Sequence, residues 1–504
     1  MKSVRRRCRR VVLIGALVGV CAAAGCGDGS TTGSDVPQVQ GPCVTDSNVE
    51  GPWYSSVAAF EHFDSGRTHN FKCAIFTGNV QAKNDVATTP LADSYPTPYN
   101  MVVREPSESY VYGGAYGDFP GAPGSFVSKV DNTTNQQVWR TQLVDATANP
   151  SAWNYPGVVG VHRNGFVYVV YGAKLSKLDP GSGKVLATAN LPYTGDVGDV
   201  AYNGFNAFTD GRIVAKTVNR QAGCTLQGFT AFLQCPDPNA VPNSIIAVVD
   251  PDSMQVVSQV QASEPIGGRL TTTEYAGVDR LYLPGSTNVF RYNWDGKTIA
   301  LDPGWGPVSY LKSGQTTAPA AAVMGEWVVL QTNGLPASTP LSVVAMRQSD
   351  ATVSEVQPFK SHNPKAESFL PSMITVDPEN NRIFTMDAGV GKAGGFSLDP
   401  ATGKMKELWT QDQRTLNFST LIGPTDQRVF IATDVPVKTV KGLSDYTTEA
   451  IVFRNAATGK ELGRSQQMPK MTSGALVTPS VDGHIYYLGL AGQISQVKVS
   501  RRGV

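Results

Sequence analysis

The chain has 504 residues, of which 41% are hydrophobic and 16% are charged, with 51 glycines and 33 prolines. Few charges combined with many glycines and prolines are typical of short strands joined by turns. The formal charge is +1, but residues 1–25 hold six of the 42 basic residues and no acidic residue. The rest of the chain has 36 basic and 41 acidic residues, a charge of about −5, which argues against nucleic acid as a partner because phosphate binding needs clustered Lys and Arg.

Residues 1–25 are typical of an export signal, because a basic start is followed by the apolar run 11–20 and then by small residues. The apolar run is too short to span a membrane as a helix. It ends at Ala23-Ala24-Gly25-Cys26, which resembles a bacterial lipobox. That resemblance implies that Cys26 is acylated and becomes the new N-terminus, and the alternative is a secreted protein cut near Ala24. A weak resemblance of residues 9–13 to a twin-arginine signal leaves the export route open.

Residues 26–50 are rich in Gly, Ser and Thr and lack a periodic apolar pattern, which predicts a flexible tether. The sequence therefore predicts an exported protein that is anchored through lipid to the outer side of the cytoplasmic membrane or in the cell envelope. The folded domain is expected over residues 51–499.

Four cysteines remain after the signal and the lipid-bearing Cys26, namely Cys43, Cys73, Cys224 and Cys235. An even number of cysteines in an exported protein predicts disulfides. Three pairings are possible, and we expect Cys43–Cys73 and Cys224–Cys235 because each closes a local loop.

One seven-residue turn recurs along the chain, with the sequence Leu-Asp-Pro-Ala-Thr-Gly-Lys at 398–404 and imperfect copies that begin at residues 130, 178, 249 and 454. Asp or Asn opens the turn, Pro presets φ, and Gly takes the left-handed position. Each copy lies between two strand-like runs, and a hairpin repeated at this spacing predicts a β-propeller.

The strand-like runs predict an all-β fold of eight blades, with seven blades as the alternative. The expected blades cover 99–143, 157–191, 199–260, 269–311, 318–359, 369–410 and 418–468, and an incomplete eighth begins at 475. Propellers commonly close by pairing strands from the two termini, so that no sheet edge stays open. We therefore expect residues 71–76 to supply the missing fourth strand of blade eight.

The repeat resembles the propellers of the quinoprotein alcohol dehydrogenase-like superfamily, the pyrroloquinoline quinone (PQQ) repeat type, over about residues 95–499. The resemblance is carried by the strand–turn–strand unit at 398–404 with Trp409 after it, and by Trp139 in the same place in blade one. It implies that these tryptophans dock neighbouring blades. Enzymes of the family bind PQQ over a Trp floor, often beside a vicinal disulfide, with calcium held by acidic and amide groups. This sequence has no adjacent cysteines and no matching acidic cluster, so neither PQQ nor calcium is expected.

Other motifs give no site. Residues 389–394 match G-x-G-x-x-G, but a strand follows where a dinucleotide site needs a helix, so a hairpin loop is expected. Glu61, His62 and His69 are too few ligands for zinc, and we expect all five histidines to be surface residues without a metal.

The loops that join second to third strands lie on the same face of a propeller as the connections between blades. They are predicted to be long at 113–125, 221–243, 332–340, 387–394 and 435–449. Long loops on a rigid scaffold often carry function. The leading hypothesis is a non-catalytic binding or assembly module that presents this face to an envelope protein or glycan. The alternative is an enzyme at the channel mouth, either quinoprotein dehydrogenase-like or a metal-dependent hydrolase or lyase, whose candidate residues are Asp196, Asp199, Arg269, Glu274 and Asn417.

Overall fold

The structure, a computed structural model, describes residues 51–503 except 116–121, 230, 232–234, 236, 238–240, 335–338, 361–372, 439 and 441–443. The expected signal peptide, the tether, Cys26 and Cys43 lie outside the described residues, so the lipid anchor and the Cys43–Cys73 disulfide stay predictions. In the described part of the chain, no helix is long and apolar enough to cross a membrane.

Eight sheets form an eight-bladed β-propeller, which confirms the predicted fold and excludes seven blades. Blades one to four are built from Asn100–Glu105, Glu108–Gly113, Phe126–Asp131 and Gln136–Gln142; Val158–Val161, Val167–Tyr171, Lys174–Leu178 and Val185–Asn190; Val200–Ala207, Ile213–Asn219, Ile245–Val249 and Val256–Gln261; and Thr271–Tyr275, Val278–Pro284, Asn288–Trp294 and Ile299–Leu301.

The other four blades have the same order from the innermost strand outwards. They are built from Ala321–Met324, Trp327–Gln331, Val343–Arg347 and Val353–Val356; Thr375–Asp377, Arg382–Asp387, Lys392–Leu398 and Met405–Asp412; Thr420–Ile422, Val429–Asp434, Thr448–Asn455 and Glu461–Arg464; and Thr478–Pro479, Ile485–Leu488, Gln493–Arg501 and Asn84–Ser94. In the described part of the chain, three further strands add to these sheets, namely Asn70–Phe71, Val308–Ser309 and Met468–Pro469. Short 3-10 helices lie between strands at Val197–Asp199, Pro378–Asn380 and Thr425–Gln427.

Burial changes from the inner strands to the outer strand of a blade. Val167–Tyr171, a second strand, is buried at every position, whereas the outermost strand Gln136–Gln142 alternates between exposed and half-buried side chains. Inner strands are covered on both faces by the neighbouring blades, which explains their continuous apolar runs.

The recurring turn joins third to fourth strands and docks the preceding blade, as the resemblance implied. In the reference copy, Asp399 Oδ1 accepts from the backbone N–H groups of the two residues that follow Pro400, both at 2.9 Å. Trp327 Nε1 donates to the Pro400 carbonyl at 2.9 Å, and Gly403 has a φ of +69°, with the Trp327 ring where a side chain would be. Trp139 and Trp409 dock in the same way against the turns of blades two and seven.

The ring is closed by strands from the two ends of the folded domain, as predicted, but the predicted closing strand is wrong. Asn84–Ser94 is the outermost strand of blade eight and pairs antiparallel with Gln493–Arg501. Residues 71–76 do not join that blade. Asn70–Phe71 instead pairs in parallel with the innermost strand of blade seven, Thr420–Ile422.

Candidate functional site

The central channel of the ring is filled by residues 53–71, which we name the channel segment. Its carbonyl groups accept hydrogen bonds from the innermost strands in blade order. The pairs are Val103 N with Ala58 O (2.8 Å), Val161 N with Ala59 O (2.9 Å), Thr272 N with Ser65 O (3.0 Å), Val323 N with Gly66 O (2.8 Å), Val376 N with Thr68 O (3.0 Å) and Leu421 N with His69 O (2.9 Å). In blade three, Ser65 Oγ donates to Ala207 O at 3.0 Å. The segment therefore passes seven of the eight blades and satisfies inner-edge amides that would otherwise need water.

The channel segment brings an ion cluster into the middle of the ring. Glu61 is 3% exposed and accepts from Arg67 Nη1 at 3.0 Å and from Arg269 Nη1. Arg269 Nη2 donates to the Tyr99 hydroxyl at 2.6 Å, and Arg67 Nε donates to the Leu270 carbonyl at 2.5 Å. These partners come from places 200 residues apart in sequence, and they leave one carboxylate between two guanidinium groups.

Two stacked histidines extend this cluster, and their hydrogen bonds determine their tautomers. His69 Nδ1 lies 3.0 Å from the Ser419 carbonyl, which only accepts, so Nδ1 carries the proton. His69 Nε2 is then the acceptor for His62 Nδ1–H at 2.5 Å. His62 Nε2 lies 3.1 Å from Glu61 Oε1 and 3.3 Å from Arg269 Nη1. With Nε2 as the acceptor for the Arg269 N–H, the chain of donors from Arg269 to Ser419 leaves both imidazoles neutral, and the lowered pKa values of both rings favour this arrangement over an imidazolium that donates to Glu61.

Burial and charge move the pKa values of these groups away from neutrality. Burial lowers the pKa of His62 to about 3 and that of His69 well below its ordinary value. Burial alone would raise the pKa of Glu61, but the charge of Arg269 and the other partners hold it well below the usual range. At neutral pH, none of these three groups is suited to exchange protons with a substrate.

The expectation that the histidines are surface residues is wrong for His62, His69 and His162. The first two are fully buried and His162 is 3% exposed, with its Nε2 2.9 Å from the Gly211 carbonyl. Sequence reasoning placed His62 and His69 on the surface because their partners are not local. The one available signal was the dense polar spacing of residues 61–69 directly before the first blade.

The five residues proposed for an enzyme at the channel mouth lie in four different places. Arg269 belongs to the ion cluster, and Asn417 is buried with its Nδ2 2.9 Å from Glu449 Oε1. Asp196 caps the 3-10 helix that precedes blade three, and Asp199, in that helix, binds Arg220 Nε at 2.6 Å. Glu274 is exposed near the end of an innermost strand, where it accepts from the Gly277 N–H, and so lies on the face opposite to Arg269.

The long loops are placed on the predicted face, with one correction. The strands Arg382–Asp387 and Lys392–Leu398 continue into the predicted loop 387–394, which leaves a four-residue turn. The G-x-G-x-x-G run is therefore part of a hairpin, as expected. The loop over 221–243 holds the predicted Cys224–Cys235 disulfide and packs against Trp153 and Tyr155.

The opposite face, which carries the first-to-second turns and the recurring hairpins, is named the turn face. A cavity of about 790 Å³ opens there at the mouth of the channel. Its walls are the start of the channel segment and the ends of innermost strands, including Ala207, Glu274 and Val323. Its rim includes the exposed residues Ser55 and Asp210.

The residues on the channel axis do not fit a planar quinone. The axis holds the main chain of the channel segment, and Trp53, the tryptophan of that segment, stacks on Phe60 with ring centroids 3.9 Å apart. Among the residues that the structure describes, no group of three or more His, Cys, Asp or Glu side chains is placed to hold a metal ion. The absence of PQQ and calcium from the functional protein stays a prediction.

Solved structures with a similar fold include two dehydrogenases. The quinohemoprotein alcohol dehydrogenase from Comamonas testosteroni is 12% identical at a TM-score of 0.55, covering 88% of this chain and 80% of that one. A europium-containing methanol dehydrogenase is 9% identical at a TM-score of 0.54, covering 89% and 98%. Similarity at this level of identity shows the fold alone. No model of a known protein family and no curated protein matches the chain.

Proposed function

We propose that the protein is an exported, lipid-anchored binding or assembly module that acts without catalysis. The observation that carries this proposal is the channel segment. It fills the axis of the ring, and its Glu61, Arg67, His62 and His69 side chains are buried and bonded to one another and to Arg269 rather than left open to a substrate. An active site needs a positioned acid, base or nucleophile that a substrate reaches.

The loop face supports the same proposal, because two of its long loops are held by specific contacts. The loop over 221–243 is crosslinked by Cys224–Cys235, and Trp153 Nε1 donates to the Gly228 carbonyl at 3.1 Å. The loop over 435–449 packs its Tyr446 in a buried cluster with Leu416. Preorganised loops lose little conformational entropy on binding, which favours recognition of an envelope protein or a glycan.

The alternative, an enzyme at the channel mouth, has the fold similarity as its support. The five side chains proposed for it are divided between the ion cluster, a buried contact with Glu449, a helix before blade three and the turn face. We therefore rank it second.

Crosslinking followed by pulldown from intact envelopes tests the loop face. Thr225 and Ser444 are exposed on two of its loops, so Thr225→Arg and Ser444→Arg add bulk and charge without removing a packed side chain. We expect this double variant to recover much less of the crosslinked partner than the wild type. Thr134→Arg is the matched control, because Thr134 is exposed on a hairpin of the turn face. Equal recovery with all three proteins would rule out the loop face as the partner surface.

The lipid anchor is tested separately by Cys26→Ala. Stable anchoring needs more than one acyl chain, at about 0.8 kcal/mol per buried CH₂, and bacterial lipoproteins carry two or more chains on one cysteine. We expect the variant to leave the membrane fraction while its melting temperature is unchanged. Retention after a high-salt wash would contradict the lipobox interpretation.

A further inference from the structure

The cavity on the turn face has an acidic wall. Four of its lining side chains are carboxylates, Asp64, Asp210, Glu274 and Asp279, and none of its lining residues is Lys, Arg or His. Of the four, Asp210 alone forms an ion pair with a cation among the described residues, and its partner is Arg212 Nη1 at 3.0 Å. The wall therefore carries negative charge that the protein does not balance locally.

Asp279 is the deepest of these groups. It is 9% exposed, and both of its oxygens accept from the Thr209 N–H at 3.2 Å. Burial raises the pKa of Asp279, and the negative charges of Asp210 and Glu274 raise it further, so Asp279 is close enough to each of these two carboxylates to be repelled by it. A cation in the cavity would relieve that repulsion.

The hydrogen-bonding capacity of the cavity points to the same kind of ligand. Most of the lining hydroxyl groups already donate their protons to acceptors of the protein. Ser65 Oγ and Thr272 Oγ1 donate to the Ala207 carbonyl at 3.0 and 2.9 Å, and Thr209 Oγ1 donates to Asp279 Oδ2 at 2.8 Å. Thr68 Oγ1 donates to Asp64 Oδ2 at 2.8 Å, and Tyr54 donates to Glu105.

The indole N–H of Trp53 is also used, because it donates to Ser65 Oγ at 2.9 Å. What these groups still offer to the cavity is lone pairs on carboxylate and hydroxyl oxygens. A complementary ligand is therefore rich in donors as well as positively charged.

Among the residues that the structure describes, no Lys, Arg or His side chain lines this mouth. Residues 26–50, which precede the lining residues Gly51 and Pro52 in the sequence, contain four acidic residues and no Lys or Arg. That stretch therefore has no cationic side chain of its own to offer the cavity.

We propose that this cavity binds an alkylammonium ligand, either a free polyamine or a lysine side chain of a partner peptide. A volume of about 790 Å³ lies within the 300–1,000 Å³ that is typical of small-molecule sites. A compact divalent metal is a poorer match, because no three carboxylates of the described residues are arranged to ligate one. An ammonium group carries up to three donors on a flexible stem and suits an acceptor-lined wall. This site is separate from the loop face, and its existence does not depend on the proposed function.

The test titrates the full-length mature protein with spermidine and with tetralysine at low ionic strength, by calorimetry and by the fluorescence of Trp53 and the other tryptophans. Tetraglutamate is the anionic control ligand. We expect saturable binding of at least one of the two amines and none of tetraglutamate. Preference for spermidine identifies a free polyamine, and preference for tetralysine identifies a peptide side chain.

Variants separate the cavity from general surface attraction. Glu274→Gln removes one charge at an exposed position, and Glu274→Gln with Asp279→Asn removes two. Asp426→Asn is the matched control, because Asp426 is an exposed acid on the same face and is not among the lining residues. We expect about tenfold weaker binding for the single variant, a larger loss for the double variant, and a change of less than twofold for the control. No amine binding by the wild type, or an equal loss in the control, would overturn the proposal.

Discussion

Acid should destabilise this ring through the two buried histidines. In the folded protein burial lowers the pKa of His62 to about 3 and that of His69 well below its usual value, whereas in the unfolded chain both titrate near 6.5. Because the folded pKa values are depressed, the contribution of the two histidines to the free energy of unfolding is complete above pH 6.5. As the pH falls below 6.5, only the unfolded chain takes up protons, so this contribution is lost. At about 1.36 kcal/mol per pH unit, each histidine lowers the free energy of unfolding by about 2 kcal/mol at pH 5, or about 4 kcal/mol for the pair.

Urea unfolding at pH 7, 6 and 5, followed by tryptophan fluorescence, measures this loss. His62→Gln with His69→Gln removes the titrating pair, so we expect a lower stability at pH 7 but a shallower dependence on pH. His162 is buried and its lowered pKa contributes equally to both proteins, while Glu61 adds its loss only below about pH 4.5. If the double variant also keeps the wild-type slope between pH 6.5 and 5, the pair is not neutral in the folded ring and the tautomer assignment is wrong.

Two further predictions concern the blades. Gly403→Ala should lower the free energy of unfolding by about 1–3 kcal/mol more than Gly277→Ala in urea unfolding. Both glycines have a positive φ, but a Cβ at Gly403 would lie 2.4 Å from the Trp327 ring and one at Gly277 would meet nothing within 4 Å, so equal losses would contradict the docking role of the turn. Ending the chain after Arg464 should abolish cooperative melting in calorimetry, because it leaves Asn84–Ser94 without its partner strand and uncovers the apolar side of blade seven that packs on blade eight; a cooperative melt of the truncated protein would refute closure by these strands.

The blades were predictable because their signal is local. Each recurring turn contains its own Asx acceptor and its own left-handed residue, so a window of seven residues is enough to recognise it. The structure adds a sixth copy, at residues 347–351, where Ala351 N donates to the Arg347 carbonyl and φ is +61°. The sequence analysis missed this copy because Arg347 stands where the other copies have Asp or Asn. In the copies at 130 and 249, Asn135 and Met254 take the left-handed position instead of Gly.

The closing strand was not predictable from apolar character. Asn84–Ser94 is an outermost strand, with exposed side chains along most of its length and Pro90 within it. Because an outermost strand faces solvent, about half of its residues are polar and a proline is tolerated. Residues 71–76 are apolar for a different reason. Phe71 is fully buried in the core, and the Phe76 ring lies 6.1 Å from that of Phe453 in blade seven. An apolar run indicates that its residues are buried. Residues 71–76 are buried or half-buried because they pack against the blades, and not because they form a strand of blade eight.

The ion cluster escaped the sequence analysis because its partners meet only after the ring has closed. Glu61 and Arg269 are 208 residues apart in the sequence, and His69 and Ser419 are 350 residues apart. No periodicity or short motif connects positions at such separations, and charged residues near an N-terminus are more often exposed than buried. Arg269 lies near the start of an innermost strand, as the sequence indicated, but its ion-pair partner is Glu61 of the same chain.

The channel segment also bears on where this fold leaves room for a ligand. A ring of eight blades leaves an axial space lined by the free edges of eight innermost strands, and those backbone amides need acceptors from a ligand, from water or from the chain itself. Here the chain supplies them, in blade order from Ala58 to His69, together with a buried carboxylate that pairs with Arg269. Once the axis is used in this way, a ligand can reach the molecule at the two mouths and on the loops but not at the centre. The binding chemistry is then set by what each mouth presents, which on the turn face is an acceptor-lined acidic cavity and on the loop face is a set of anchored loops.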